Sequence, residues 1–237
     1  MDANVNPNSE LNQSIVKVPD LAQVPDVWMH EAREFQRVMM MYSGAIREVK
    51  TKLEVLNDEL SVKNQRNPIE MIKSRVKRPM SILEKLQRRG LEVSLESLQK
   101  NLDDVAGIRI ICSFVDDIYE VAQMLVSQDD VRVVAVKDYI KNPKPNGYRS
   151  YHLIIEVPVF FSECKRNIRV EVQIRTIAMD FWASLDHQLK YKKSVIDDKE
   201  ISEELRQCAD VIAQTDEKML AIRRKIESQG IAIVRDY

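Results

Sequence analysis

Residues Val136 to Thr176 read VKDYIKNPKPNGYRSYHLIIEVPVFFSECKRNIRVEVQIRT, and the last third of that stretch sets the fold. In Ile168–Arg175 the alternation is strict. Ile168, Val170, Val172 and Ile174 point one way and Arg169, Glu171, Gln173 and Arg175 the other, the period of a half-buried strand. Tyr148–Val157 predicts a partner strand, with Tyr148, Ser150, His152, Ile154 and Glu156 on one face and Tyr151, Leu153, Ile155 and Val157 on the other. Between the flanking strands, Asn142-Pro-Lys-Pro-Asn-Gly147 is turn-forming and brings Lys144 with it. An aromatic ring, an imidazole, a carboxylate and several cations on one sheet face point to a phosphorylated, base-bearing ligand.

Composition narrows what that ligand site can be. The 237 residues suffice for one substantial core. Lys and Arg number 36 against 37 Asp and Glu, so there is no global basic field and no extensive nucleic-acid footprint is expected. Any anion site must come from local clustering. Cys112, Cys164 and Cys208 are widely spaced, without a CxxC pair, which fits a reducing cytoplasm better than a disulfide framework or a zinc site. No apolar run approaches the ~18 residues of a membrane span, and no signal pattern opens the chain. The five glycines form neither GxxxxGK nor GxGxxG. Three histidines and no HExxH argue against a histidine-rich metallohydrolase.

Outward from the deciding stretch, the chain predicts an α+β domain between two long helices. Residues 1–25 lack periodicity and are expected to form a tail. Residues 26–64 carry a heptad seam: Trp28, Phe35, Tyr42, Val49 and Leu56, each followed four later by Ala32, Met39, Ile46, Leu53 and Leu60, with an exposed-looking Gly44. Asn67-Pro68-Ile69-Glu70 reads as a helix start. After it, Pro79 opens and Gly90 closes a helical segment, and Lys77, Ser81, Lys85 and Arg88 share one face where the helical turn persists through Pro79. Ser94–Asn101 predicts a short helix, Ala106–Phe114 a strand, Asp116–Ser127 a helix and Val131–Tyr139 a strand. Beyond the opening stretch, Ile177–Lys190 predicts a helix bearing Phe181, Trp182, Leu185 and Leu189. Lys199–Ser228 predicts a last helix with a second seam of Ile201, Leu205, Cys208, Ile212, Thr215, Met219, Ile222 and Ile226. The expected architecture is a mixed β-sheet with helices packed on one face and the other free for ligand. Its catalytic domain spans residues 65–192, and residues 193–237 form the C-terminal helix and tail.

The residues on that free face permit a definite chemistry. Asp104 and Glu171 converge if their strands are neighbours, and paired carboxylates suit Mg²⁺, which keeps waters and bridges substrate phosphates. Arg75, Lys77, Lys85, Arg88 and Arg109 could hold a triphosphate, arginine also stacking on a purine. Tyr148 could stack on a second base.

Arg75-Val-Lys77-x3-Ser81-x3-Lys85, Asp104-Val-Ala-Gly-Ile-Arg109, the run Lys137 to His152 and Glu171-Val-Gln173-Ile-Arg175-Thr together resemble the synthetase domain of the RelA/SpoT-homologue alarmone enzymes. The likeness covers roughly residues 66–192, its motifs in order, without the length for the hydrolase and regulatory modules of larger members. The chain thus resembles a small alarmone synthetase with a nucleotidyltransferase-like fold. That resemblance implies a GTP diphosphokinase that transfers the β,γ-pyrophosphate of ATP to the 3′-hydroxyl of GDP or GTP, making (p)ppGpp and releasing AMP. It implies Asp104 and Glu171 as Mg²⁺ ligands, with Glu171 also acting on the acceptor hydroxyl. Arg75 and Arg109 would sandwich adenine, while Lys77, Ser81, Lys85 and Arg88 hold phosphates. Tyr148 would stack on guanine, with Lys137, Lys144, Asn146, His152 and Gln173 around the acceptor. Two other readings are a pyrophosphokinase acting on a tRNA 3′ end and a non-catalytic nucleotide-binding module. The seams, with the resemblance, predict a homotetramer with the terminal helices at its contacts.

Overall fold

The computed structural model describes residues 26–64, 67–191 and 199–229; the expected tail at 1–25 lies outside them. Among the described residues there are six helices and one five-stranded mixed sheet. In chain order these are α1 (Asp26–Asn64), β1 (Ile69–Val76), α2 (Pro79–Arg88), α3 (Leu95–Asn101), β2 (Ala106–Cys112), α4 (Val115–Val126), β3 (Arg132–Asp138), β4 (Tyr151–Phe160), β5 (Lys165–Thr176), α5 (Ile177–Tyr191) and α6 (Lys199–Ser228). The chain divides into two compact units, residues 1–36 and 37–237. In the first, Ala32 is exposed and Phe35 half-buried. Everything below concerns the second.

The strand order is β1-β2-β5-β4-β3, with β2 and β5 parallel and the other pairs antiparallel. Ile108, Ile110, Val170, Val172, Ile174, Leu153 and Ile155 form the buried face. On it packs α4 through Ile118, Val121, Ala122 and Leu125, all at the helical spacing expected of an inward stripe. Burying such side chains contributes about 1.5–3 kcal/mol each, so the sheet is held from this side. On α1, Val38, Tyr42, Ala45, Ile46, Val49, Leu53 and Leu60 are buried, and the expected seam is present from Tyr42 onward. Gly44 is half-buried rather than exposed: a Cβ there would meet Val159 Cγ1 at 3.1 Å, so its lack of a side chain serves a close approach.

Two further expectations fail. Asn67-Pro68 does not start a helix; β1 follows it, and the Glu70 carboxylate that looked like part of a cap accepts from Ser113 Oγ at 2.5 Å. The segment joins the sheet edge because β2 offers it an antiparallel ladder from Met71 to Val76, with a register shift between Ile69 and Met71. The second seam is also rotated. On α6 the inward positions are Ala209, Asp216 and Arg223, seven apart, while Cys208, Thr215, Met219 and Ile222 are exposed. Specific polar bonds choose that face: Thr176 Oγ1 donates to Asp216 at 2.6 Å, and Arg223 pairs with Asp116 and Asp117. Trp182, buried as expected of a core residue, donates its indole N–H to the Leu205 carbonyl at 2.9 Å.

Candidate active site

The register of the sheet assembles the candidate residues into rows on the face opposite α4. One row crosses all five strands: Lys73, Arg109, Gln173, His152 and Lys137 are successive partners. The next row reads Arg75, Gly107, Glu171, Ile154 and Ala135. Directly opposed residues share a face, so an acid and an amide lie between two cationic edges. Gly107 separates Arg75 from Glu171 without a side chain, and Arg75, Asp104, Gly107, Arg109, Glu171 and Gln173 line one open cavity of about 610 Å³ together with Lys73, Ser74 and Ile108.

Asp104 stands just before β2, and Glu171 sits on the neighbouring β5, so the required adjacency is present. Lys77 and Lys85 both place their ammonium groups on Asp104 Oδ2, at 2.9 and 2.6 Å. Burial opposes ionisation of Asp104, yet the hydrogen bonds from Lys85 and Lys77 outweigh it and hold the carboxyl below its ordinary range. Its other oxygen, Oδ1, is buried without a hydrogen-bond partner. Glu171 Oε2 accepts from Gln173 Nε2 at 2.9 Å, and Oε1 lies 3.4 Å from His152 Nδ1. Burial works against that carboxylate as well, and the His152 hydrogen bond is the main influence lowering its pKa, while the Asp104 charge raises it. Arg109 and Arg175 pair with Asp180 rather than with Glu171.

An orphaned carboxylate oxygen beside a second acid that feels its charge fits a hard divalent cation. Among the described residues no group of three His, Cys, Asp or Glu side chains could hold a metal alone. The fit is therefore to an ion such as Mg²⁺ that takes remaining ligands from water and phosphate. Asp104 and Glu171 would hold it.

The cations expected for a triphosphate divide into two groups. Lys77 precedes α2 instead of lying on it, since Arg78 is the N-cap and Pro79 the first helical residue; it nevertheless meets Lys85 at Asp104. A second cavity is lined by Arg75, Lys77 and Ser81 with Arg78, His187 and Gln188. Arg88 is exposed in the last turn of α2, outside both cavities.

On the acceptor side, Tyr148 lies in the loop before β4 and not on the strand, because β4 begins at Tyr151. The loop is pinned by Gly147, whose φ is +85° and whose absent Cβ would stand 2.5 Å from Ala209 Cβ. Asn146 Oδ1 accepts from the Tyr148 N–H at 3.3 Å, and its amide donates to Asp186 at 3.5 Å. Lys144 Nζ lies 4.7 Å from the centroids of both Tyr139 and Tyr148. Arg175 lies 5.0 Å from the Tyr148 ring and donates to its hydroxyl at 2.6 Å. The hydroxyl meets His152 Nε2 at 2.9 Å. His152 is buried, and burial is the main reason its pKa falls, with Glu171 acting the other way. Lys137 is exposed on β3.

Lys73, Arg175 and Asp180 are parts of this arrangement that the sequence did not single out as site residues. The strict alternation already places Arg175 with Glu171; nothing local marks Asp180, since an acid in a first helical turn is ordinary.

Comparison with known proteins identifies the family. Residues 74–196 match a family described as the region found in RelA / SpoT proteins. The chain is 42% identical over 217 residues to the GTP pyrophosphokinase YwaC of Bacillus subtilis (strain 168), covering 92% of this chain and all of that protein. It is similar to the crystal structure of small alarmone synthetase 2 from Bacillus subtilis (45% identity, TM-score 0.74, 81% of this chain and 99% of that one). It is also similar to small alarmone synthetase 1 from the same organism bound to its product pppGpp (36% identity, TM-score 0.75, 82% and 98%).

Proposed function

This chain belongs to the RelA/SpoT family, among its small alarmone synthetases, and from that premise we propose that it is a GTP pyrophosphokinase. It transfers the β,γ-pyrophosphate of ATP to the 3′-hydroxyl of GDP or GTP. The observation that carries the reading is the placement of Asp104, just before β2, and Glu171, on the neighbouring β5, in one cavity between a cluster of arginines and lysines and a tyrosine–histidine pair.

Each residue then has a task. Arg75 and Arg109 flank the adenine of ATP. Lys77, Ser81 and Lys85 take the phosphates, with Arg88 reaching toward them from outside the cavities, and the two lysines leave Asp104 for the incoming anion. When bound at Asp104 and Glu171, Mg²⁺ neutralises charge on the triphosphate. Tyr148 stacks on guanine, exchanging its contact with Lys144 for the base, and Lys137, Lys144, Asn146, His152 and Gln173 surround the acceptor. The 3′-oxygen attacks the β-phosphorus, its proton passes to Glu171, and the bridging α–β P–O bond breaks with AMP as leaving group. Such transfers require alignment and charge compensation more than covalent help.

The assembly we propose is a homotetramer of cytoplasmic enzyme, with residues 65–192 as catalytic domain and the long helices α1 and α6 at subunit contacts. Exposed Met40, Val55, Val211, Met219 and Ile222 on those helices support it. No helix of the described residues is long and apolar enough to cross a membrane.

The test offers purified protein β-labelled ATP, Mg²⁺ and, separately, GDP, GTP and tRNA. Label in a guanosine tetra- or pentaphosphate is expected. Label only in tRNA would replace the acceptor, and no transfer to any of them would leave a binding module.

A further inference from the structure

Asp180, in the first turn of α5, takes two guanidiniums on a single oxygen: Oδ1 accepts from Arg109 Nη1 at 3.2 Å and from Arg175 Nη1 at 3.0 Å. The two arginines serve different sides of the site. Arg109 lines the cavity with Arg75 and Asp104. Arg175, whose side chain is only 4% exposed, reaches the Tyr148 hydroxyl at 2.6 Å and Gln173 Oε1 at 3.0 Å. Burial and then the Arg175 charge lower the pKa of Arg109, and Asp180 counters them. Two like charges largely withdrawn from water repel strongly unless an anion is shared between them.

Resting on the assignment of Arg109 to ATP and of Tyr148 to the acceptor, we propose that Asp180 is a positioning residue that holds the donor and acceptor pockets in register. One carboxylate fixes the guanidinium beside the adenine and, through Arg175, the tyrosine beside the guanine. Asp180 touches neither nucleotide. Its charge acts through both arginines, so removing it reaches both pockets at once. An acid that only complements the N-terminus of α5 would alter melting and leave nucleotide affinity alone.

The experiment measures binding of GDP and of α,β-methylene ATP separately by titration calorimetry, in wild-type protein, Asp180→Asn and Asp180→Glu, with a melting curve for each. In Asp180→Asn both affinities are expected to fall together, each by roughly tenfold, the scale of one lost charge-assisted contact. Should that variant not fold, Asp180→Glu, which keeps the charge but moves it by one methylene, decides on the same criterion. A joint fall supports the proposal. A fall confined to one nucleotide, or unchanged affinities with only a shifted melting temperature, overturns it. Wild-type protein that binds neither nucleotide would instead remove the assignment of the pockets, and the proposal with it.

Discussion

His152 presents Nδ1 to Glu171 Oε1 at 3.4 Å while its Nε2 meets the Tyr148 hydroxyl at 2.9 Å. The partners fix the tautomer. The ionised Glu171 oxygen can only accept, so Nδ1 of the neutral ring carries the hydrogen that faces it, Nε2 accepts, and the Tyr148 hydroxyl, itself accepting from Arg175, donates to Nε2. A directed chain of hydrogen bonds thus runs from Arg175 through Tyr148 and His152 to Glu171. It helps keep that carboxylate ionised, as the proposed role of proton acceptor for the 3′-hydroxyl requires.

Glu171→Gln is therefore expected to lower turnover by at least about 100-fold, the scale of a lost general base, while affinity for α,β-methylene ATP stays within about threefold. Turnover within tenfold of wild type would remove Glu171 from its role.

The pH dependence of stability follows from His152. Its folded pKa lies below the ordinary 6.5, foremost through burial, so the unfolded chain binds the proton first as pH falls. Stability contributed by the neutral imidazole is complete above about 6.5 and is lost as pH drops toward the folded value. In metal-free buffer the melting temperature should decline between pH 7.5 and 5.5, and His152→Gln should decline less. An equal decline in both proteins would show that another group is responsible. Asp104 and Glu171, both lowered, act at lower pH: their contribution is present above the ordinary carboxylate range and disappears as pH falls through their folded values.

Tyr148→Ala should weaken GDP binding by about 1–3 kcal/mol, as loss of an aromatic stacking partner does, and leave α,β-methylene ATP nearly unaffected. The reverse pattern in calorimetry would mean that the two pockets are interchanged.

Gly147→Ala meets two obstacles, the left-handed φ of +85° and an Ala209 Cβ at 2.5 Å. Together they should cost roughly 2–4 kcal/mol, and the displaced loop should also weaken GDP binding through Lys144 and Asn146. Ala209→Gly in the same chain removes the clash but not the strained backbone, so denaturant titration should show partial recovery. No recovery would locate the whole effect in the backbone.

Much of this was legible in the sequence for a physical reason. A period of two survives wherever a strand has one dry and one wet face, so β5 and the order of the motifs around it could be read directly. Where that period fails, the reading failed: β1 has burial only at its beginning and carries Met71, Lys73, Ser74 and Arg75 exposed, and Asn67-Pro68 looked like a cap. Similarly, α6 turns Asp216 and Arg223 inward because Thr176 and Asp117 await them, partners distant in sequence. Asp180 was hidden by the same cause. Which acid meets which arginine is decided by register between strands and helices, not by local pattern.

The assembly can be checked by light scattering at micromolar concentration. A tetramer gives four times the chain mass of 27.5 kDa, and Val211→Lys with Met219→Lys, both exposed on α6, should lower it without unfolding the chain. A wild-type mass of one chain would contradict the proposal.

The central claim is tested most directly by following both halves of ATP in one reaction with GDP. With label on the β-phosphate and a separate label on the adenine, the account predicts AMP and a guanosine 3′-diphosphate product in equal amounts, with all transferred β-label on the 3′-oxygen. ADP as the adenine product, or β-label that stays with adenine while GDP is phosphorylated, would contradict it.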